Sequence, residues 1–157
     1  MIDPMTKTTF ADYVATQDAR NTVQLNVRKY CLMLCGALEQ NYLNEAIRRC
    51  EFFAESNSDS TYYCERLEKL KRGEDCYEFV IESGRKYHKI VMITDSGSRS
   101  VHAFVDKKTG ELYKAASFKS PAKGVRFNLN IIKEREFVLR ECDWAGGYLY
   151  KNAFYEG

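Results

Sequence analysis

Basic side chains interleaved with aromatic ones are the residues of this chain best suited to chemistry. Between positions 85 and 126 the sequence holds ten basic residues and three acidic ones, a net charge of +7. The whole chain is +2, so the remaining fourteen basic and nineteen acidic residues carry −5. A positive surface with aromatic rings can bind a phosphate backbone and stack bases. The alternative is a solvated sheet face whose lysines maintain solubility and protect the sheet edge.

Eight residues of this segment are the candidate binding residues. The predicted contacts to nucleic acid or phosphate come from Lys107, Lys108, Lys114, Lys119, Lys123 and Arg126. The predicted stacking residues are Tyr113 and Phe118. Residues 119–124, with the sequence KSPAKG, form a compact basic turn in which proline restricts one backbone angle and glycine frees another. Such a turn can present N–H groups and two ammonium groups to a phosphate, or serve simply as a connector.

The types and spacing of the residues do not favour metal binding or acid–base catalysis. The six cysteines form no C-x-x-C pair and the only histidines are His88 and His102, so zinc-ligand spacing is absent. We therefore predict reduced, mostly buried thiols, no metal and no cofactor. The two histidines fall on neighbouring predicted strands and can share a sheet face, but the nearby acids, Asp95 and Asp106, fall in turns. No catalytic residue is assigned, and a non-enzymatic role is favoured.

The composition is that of one folded domain. A chain of 157 residues with 45% apolar and 29% charged residues can bury a core. Its longest apolar run, residues 30–38, is about half the length that a membrane helix needs. The first residues lack the apolar core of a signal peptide, so a cytoplasmic location is expected. Residues 1–4 look like a remnant of an expression vector, Met5 is the expected native start, and residues 5–157 are predicted to form the domain.

The first half of the chain has the periodicity of helices. Thr9 can cap a short first helix, and a second helix is predicted from about Asn21 to Gly36, which ends or kinks it. A third helix carries apolar residues at spacings of three and four, until the polar residues 56–60 interrupt it. A fourth helix follows, with Gly73 as its C-terminal cap.

After this point the hydrophobic period changes to two, as in β-strands. Strands are predicted at residues 76–82, 86–94, 100–105, 111–115 and 125–129. Turn residues separate them, including Ser83-Gly84 and the glycine-containing loop 106–110. Because such short connections join antiparallel neighbours, the first four strands are expected to form a meander, and residues 125–129 are a further candidate strand.

The tail completes the predicted α+β fold. Residues 130–142 are predicted as a helix, and Gly146-Gly147 predicts a loop before a final strand or tail. The expected architecture is a layer of N-terminal helices packed on a C-terminal antiparallel meander. Residues 5–73 are mainly helical in this prediction, and residues 76–129 are mainly strands.

Residues 84–129 resemble a pattern found in small proteins encoded by tailed phages. The matching parts are Ser100-Val101-His102, Phe104-Val105-Asp106, Thr109-Gly110, Tyr113-Lys114-Ala115-Ala116, Pro121-Ala122-Lys123, Arg126 and Asn128-Leu129. The resemblance implies a phage origin and expression in the cytoplasm of a bacterial host. It implies no activity, because no chemistry is established for that family, and it leaves the helical first half unmatched.

Three classes of function follow from these observations. The first is a non-enzymatic phage accessory protein that binds nucleic acid or another polyanion through a basic sheet and loop. The second is a protein–protein inhibitor or adaptor that acts on a host factor through the tyrosine-rich surface and acidic helices. The third is a protein that binds a nucleotide or another phosphate-containing small molecule. No membrane partner is predicted, and the sequence leaves the oligomeric state open.

Overall fold

The computed structural model describes residues 9–56 and 60–150, and this part begins with three helices. They are α1 (Phe10–Ala15), α2 (Gln17–Ser56) and α3 (Ser60–Lys71). Thr9 caps α1 as predicted: its hydroxyl accepts a hydrogen bond from the Asp12 N–H at 3.1 Å, and the Asp12 carboxylate accepts one from the Thr9 N–H at 3.4 Å. The predicted vector remnant and the expected start at Met5 lie outside the described residues.

α2 is a single helix of 40 residues, about 60 Å long, where two helices were predicted. The predicted break at Gly36 is wrong. Gly36 lies on the exposed side of the helix, with no atom within 4 Å of the position of a Cβ. A glycine inside a helix costs about 1 kcal/mol. Burial of Leu34 and Leu38 on either side outweighs that cost, at about 2 kcal/mol each. None of the described helices, α2 included, is long and apolar enough to cross a membrane.

The buried face of α2 contacts two apolar clusters along its length. Its first part packs on the sheet through Val27, Cys31, Leu34, Cys35 and Leu38. Its second part packs on Leu70 of α3 through Tyr42, Ala46 and Cys50. Tyr77 contacts both clusters, and its ring stacks on that of Tyr42 with 3.9 Å between centroids. α2 therefore holds the sheet and α3 together.

The second half of the chain is a five-stranded antiparallel meander in the order β1-β2-β3-β4-β5. The strands are β1 (Glu78–Ser83), β2 (Tyr87–Ile93), β3 (Arg99–Asp106), β4 (Glu111–Lys114) and β5 (Phe127–Asn128). The α+β fold class and the meander are confirmed. Since alternate residues of a strand point to opposite sides, the sheet has an inner face that packs on α2 and an outer face that points away from it.

The C-terminal part combines a helix with a short turn. The predicted helix is confirmed as α4 (Ile132–Glu141), whose Val138 is buried against the sheet. The buried Glu134 carboxylate accepts a hydrogen bond from the Asn128 N–H at 3.0 Å and so ties α4 to β5. A 3-10 helix, Gly147–Leu149, follows where a loop was predicted, and the residues after 150 lie outside the described part of the chain.

The cysteines are free thiols, and most of them are buried, as predicted. Cys31, Cys35, Cys50 and Cys142 are buried, Cys76 is half-buried and Cys64 is exposed. Cys31 and Cys35 lie one turn apart on the buried face of α2. Burial raises the pKa of both thiols to about 12, which keeps them protonated at pH 7.

Candidate functional site

Two hairpin turns lie side by side at one end of the sheet. Tyr87, the first residue of β2, pairs with Asp106, the last residue of β3, so the β1–β2 and β3–β4 turns are neighbours. The Lys107 N–H donates to the Lys86 carbonyl at 3.0 Å, and the Lys107 ammonium donates to the Gly84 carbonyl at 2.9 Å. The two turns together carry the basic side chains of Arg85, Lys86, Lys107 and Lys108.

α2 lies beside these turns and forms with them a concave surface, which we name the basic cleft. It consists of two adjoining cavities of about 450 and 340 Å³ that share Gln24 and Lys107. α2 adds Arg28 to the larger cavity. The cations of the basic cleft are Arg28, Arg85, Lys86, Lys107 and Lys108. Within residues 9–56 and 60–150 none of the five forms an ion pair. The cleft therefore concentrates positive potential.

Asp106 is the acidic residue that lines the smaller cavity, and its carboxylate is committed to its own turn. One carboxylate oxygen accepts hydrogen bonds from the N–H groups of Lys108 and Thr109, at 2.8 and 3.0 Å. The side chain is buried, with 7% of the residue exposed. Asp106 therefore shapes the β3–β4 turn, and within the described residues its carboxylate forms no ion pair with the lysines of the cleft.

A histidine and a serine line the larger cavity. His88 of β2 pairs with Ser83 of β1, and the Ser83 hydroxyl lies 2.7 Å from His88 Nδ1. Burial lowers the pKa of His88, and the charges of Lys107 and Arg28 lower it further. The ring is therefore neutral at pH 7, and the positive charge of the cleft comes from its lysines and arginines. In the part of the chain that the structure describes, no three His, Cys, Asp or Glu side chains converge on a metal position.

An aromatic cluster occupies the outer face of the sheet next to the cleft. The Tyr87 ring centroid lies 5.7 Å from that of Phe104 and 6.0 Å from that of Tyr113. Phe118 folds back from the loop after β4, with its ring centroid 4.3 Å from Lys89 Nζ. Phe104 is buried, whereas Phe118 is 48% exposed. We name this cluster of four rings and Lys89 the outer aromatic face, and it unites the two predicted stacking residues.

Lysines connect the outer aromatic face to the basic cleft. Lys86 belongs to the cleft, and its Nζ lies 5.3 Å from the Tyr87 ring centroid. Lys89 Nζ lies 5.8 Å from the Phe104 ring centroid in addition to its contact with Phe118. Ammonium groups over ring faces are held by the ring quadrupole. Cations and rings therefore alternate across one continuous surface.

The loop between β4 and β5 exposes Lys119 and Lys123, two of the predicted binding residues. Its main-chain groups serve the loop itself. The N–H groups of Lys119 and Ser120 both donate to the Ser117 hydroxyl at 3.2 Å. These two amides are thus occupied within the turn, and the ammonium groups of Lys119 and Lys123 are exposed to an anion.

Arg126, another predicted binding residue, holds the loop to the C-terminal segment. Its Nε donates to the Leu149 carbonyl at 2.6 Å, and its Nη1 donates to the carbonyls of Lys123 and Gly124 at 3.1 and 2.8 Å. Gly124 has a φ of 94°, a conformation that favours glycine, and a Cβ there would lie 3.0 Å from Arg126 Nη1. The Arg126 guanidinium therefore links the β4–β5 loop to the C-terminal segment through hydrogen bonds.

Lys114 lies near the same C-terminal segment, on the inner face of the sheet. It pairs with Ala103 of the inner face, one residue after the outward-facing Tyr113. Its Nζ lies 4.7 Å from the Tyr150 ring centroid and 3.5 Å from the Ala115 carbonyl. The structure thus separates Lys114 from the predicted stacking residues.

His102 lines the same cavity as Lys114, Trp144 and Tyr150. Its Nε2 lies 2.8 Å from the Tyr148 hydroxyl, and the two rings stack with 5.6 Å between centroids. Burial lowers the pKa of His102 to about 4, although a hydrogen bond with the Trp144 backbone opposes the shift. We name this region the C-terminal corner: His102, Lys114, Arg126, Trp144, Tyr148, Leu149 and Tyr150. The two histidines line different cavities, and their ring nitrogens contact different side chains, Ser83 for His88 and Tyr148 for His102.

Sequence reasoning missed part of the cleft and, at Lys89, part of the outer aromatic face. Arg85, Lys86 and Lys89 stand in the basic segment, and the hairpin pattern that places the two turns side by side was the signal for the first two. Arg28 and Gln24 carried no such signal, because they belong to a long helix whose position against the sheet end depends on tertiary packing.

No curated protein and no solved structure matches the chain. A family model matches residues 10–151, a range that contains the basic cleft, the outer aromatic face and the C-terminal corner. The chain therefore belongs to DUF7717, a family of unknown function.

Proposed function

We propose that this chain is a non-enzymatic, phage-encoded accessory protein that binds nucleic acid across the basic cleft and the outer aromatic face. The observation that carries the proposal is the alternation of cations and rings on one surface. Lys86 lies against Tyr87, and Lys89 lies between Phe104 and Phe118. The resemblance of residues 84–129 to tailed-phage proteins supports the phage origin and a location in the cytoplasm of a bacterial host.

The favoured ligand is a single strand. Stacking needs unpaired bases, and each base stacked on an aromatic side chain contributes about 1 to 3 kcal/mol. Phe118 is half-exposed and stands at the edge of the cluster, where a base can reach its ring. A duplex offers its phosphates to the cleft but keeps its bases paired, so we expect weaker binding of double-stranded nucleic acid.

The cations supply the part of binding that does not depend on sequence. Five basic side chains in the cleft have no ion-pair partner within the described residues. Each cation that neutralises a phosphate releases a condensed counterion, which makes binding salt-dependent. Lys119 and Lys123 on the exposed loop can extend this contact beyond the cleft.

A titration of labelled single-stranded DNA at low salt tests the proposal. The double variant Lys107→Gln/Lys108→Gln is expected to bind at least about tenfold more weakly than wild type, since charged hydrogen bonds contribute about 1.5 to 3 kcal/mol each. The matched control is Lys69→Gln/Lys71→Gln, which makes the same charge change on the exposed surface of α3. Absence of wild-type binding to any strand, or equal losses in both double variants, contradicts the proposal.

A second candidate function is the binding of a host protein. The observation that favours it is the apolar exposure of α1 and the first turns of α2, where Phe10 is 82% exposed and Leu25 is 67% exposed. Capture of one host protein from lysate, unchanged by nuclease treatment and lost in Phe10→Ser/Val14→Ser, two exposed residues of α1 outside the cleft, supports this candidate. Capture that nuclease abolishes supports nucleic acid.

A further inference from the structure

We infer that the larger cavity of the basic cleft is a binding site for a phosphate monoester. Two ligands carry this group: a nucleic-acid strand with a terminal phosphate, and a free nucleotide. The inference rests on the proposed function for the first ligand and is independent of it for the second. The cavity measures about 450 Å³, which is large enough for a phosphate with the sugar that bears it.

Two cations face this cavity from different elements. Arg28 comes from α2, and Lys107 comes from the β3–β4 turn. The Lys107 ammonium is positioned by its hydrogen bond to the Gly84 carbonyl at 2.9 Å and keeps further N–H groups for a ligand. Arg28 presents a planar guanidinium, which can bind two phosphate oxygens at once. A phosphate between them receives charged hydrogen bonds from both sides.

Neutral donors complete the lining. The amides of Asn21 and Gln24 and the Ser83 hydroxyl line the same cavity. Each amide can donate a hydrogen bond to a phosphate oxygen that the two cations leave unpaired. The Ser83 hydroxyl can do the same when His88 Nδ1 carries the ring proton and donates to it. The lining thus has more donors than the Lys119–Lys123 loop, whose amides at Lys119 and Ser120 are already occupied.

The charge of the cavity fits a monoester better than a diester. A phosphate monoester carries about −1.5 to −2 at pH 7, whereas each diester of a strand interior carries −1. No acidic residue of the described chain lines the larger cavity. Asp106, in the adjoining cavity, already accepts two main-chain N–H groups. The two positive charges of Arg28 and Lys107 therefore match the roughly two negative charges of a phosphate monoester.

His88 provides a reporter for occupancy. The polar and charged groups that face it are Ser83 from β1, Arg28 from α2 and Lys107 from the β3–β4 turn. The two cations disfavour the protonated ring, and a bound dianion offsets their charge. Binding is therefore expected to raise the pKa of His88, which NMR titration of the histidine rings can follow, with His102 as the internal reference.

The test compares strands of one sequence that carry a 5′-phosphate, a 3′-phosphate or hydroxyl groups at both ends. Wild type is expected to bind at least one phosphorylated strand about tenfold more tightly than the hydroxyl-ended strand. Arg28→Gln is expected to remove this preference, measured as the ratio of the affinities for the phosphorylated and the hydroxyl-ended strand. Both affinities are expected to fall, because Arg28 is also one of the cations of the cleft. Lys133→Gln, at an exposed position of α4, makes the same charge change and is expected to preserve the preference. A preference that survives in Arg28→Gln would overturn the inference. So would equal wild-type affinities for all three strands together with no effect of adenosine monophosphate on His88.

Adenosine monophosphate separates this inference from the proposed function. If no strand binds but the nucleotide shifts the His88 resonances in wild type and not in Arg28→Gln, the cavity is a nucleotide site and the nucleic-acid proposal fails. If strands bind without an end preference and the nucleotide leaves His88 unchanged, the nucleic-acid proposal stands and the monoester site fails. Adenosine, which lacks the phosphate, is the matched ligand control.

Discussion

The basic cleft and the C-terminal corner draw cations from the same segment of sequence and use them differently. In the corner, Arg126 donates to three main-chain carbonyls and Lys114 lies against the Tyr150 ring. In the cleft, Lys108 and Arg28 have no ion-pair partner within the described residues. The carboxylate of Asp106, beside Lys108, accepts main-chain hydrogen bonds of the β3–β4 turn. Charge density along the chain therefore does not identify a binding surface. The two regions differ in how far a cation is already occupied: Arg126 donates to three carbonyls, whereas the Lys107 ammonium donates to one, that of Gly84.

The histidines repeat this contrast. His102 is enclosed in the corner, with its ring against Tyr148 and a hydrogen bond to the Trp144 backbone. His88 lines an open cavity beside Arg28 and Lys107, with one nitrogen bound to Ser83. Both rings are neutral at pH 7, the first through burial alone and the second through burial and neighbouring cations. We therefore expect the corner to determine stability and the cleft to determine binding.

The largest expected effect concerns acid and His102. The pKa of His102 is about 4 in the folded protein and 6.5 in the unfolded chain. Between these values the unfolded chain binds more protons, so the free energy of unfolding falls as the pH falls from 6.5 to 4. At 1.36 kcal/mol per pKa unit the loss is about 3 kcal/mol. Urea unfolding at pH 7 and pH 4 measures it.

Carboxylates also titrate near pH 4, so the His102 contribution is the difference between wild type and His102→Gln. The variant is expected to be less stable at pH 7 but to lose less stability on acidification. The matched control is His88→Gln, in which the acid loss assigned to His102 must persist. An acid dependence that disappears in the control and remains in His102→Gln would reverse the roles of the two regions.

Arg126 provides the second test. Arg126→Ala removes three hydrogen bonds from a half-buried guanidinium and is expected to cost about 2 to 3 kcal/mol of unfolding free energy. Lys108→Ala, an exposed change in the cleft, is expected to stay within about 0.5 kcal/mol. Arg126→Lys keeps the charge but cannot reach all three carbonyls, so it should resemble Arg126→Ala. Urea unfolding at pH 7 measures these changes. Similar losses of unfolding free energy for Arg126→Ala and Lys108→Ala would contradict the assignment of stability to the C-terminal corner.

Local patterns were enough to predict most of the fold. The alternation of apolar residues and the turn residues predicted the first four strands and their antiparallel order, because a meander is determined by neighbours in sequence. Residues 125–129 were predicted as a strand without a place in the sheet, and β5 pairs with β4. The prediction failed at Gly36, where an isolated glycine was read as a helix end. Whether such a glycine ends a helix depends on what packs around it, and that information is not local.

The candidate site was predictable only in part for the same reason. Lys107 and Lys108 lie in the cleft, and Tyr113 and Phe118 lie together on the outer aromatic face. Arg126 and Lys114 belong to the corner, and no local pattern distinguishes a cation that reaches a carbonyl 23 residues away. The contribution of α2 to the cleft arises from tertiary packing, which the hydrophobic period of a helix does not specify.

Phe118 tests whether the outer aromatic face stacks bases. Phe118→Ala is expected to weaken single-stranded DNA binding by about 1 to 2 kcal/mol and to leave duplex binding almost unchanged, because a duplex keeps its bases paired. The matched control is Phe52→Ala. Phe52 lies on α2 and is 61% exposed. Fluorescence anisotropy with both DNA forms measures the effect. Equal losses for single and double strands show that Phe118 does not stack on bases.

The smallest expected effect is on the salt dependence of binding, and it locates the phosphate contacts. Each lost contact to a single strand lowers the slope of log K against log salt by about 0.7. Lys107→Gln/Lys108→Gln should therefore lower the slope by about 1.4 if both lysines neutralise phosphates. Lys119→Gln/Lys123→Gln should do the same only if the strand extends over the exposed loop. Lys114→Gln should leave the slope unchanged, because its ammonium lies against Tyr150 on the inner face. A slope that falls with Lys114→Gln and not with the cleft pair places the strand at the C-terminal corner, since only cations that contact phosphates release counterions.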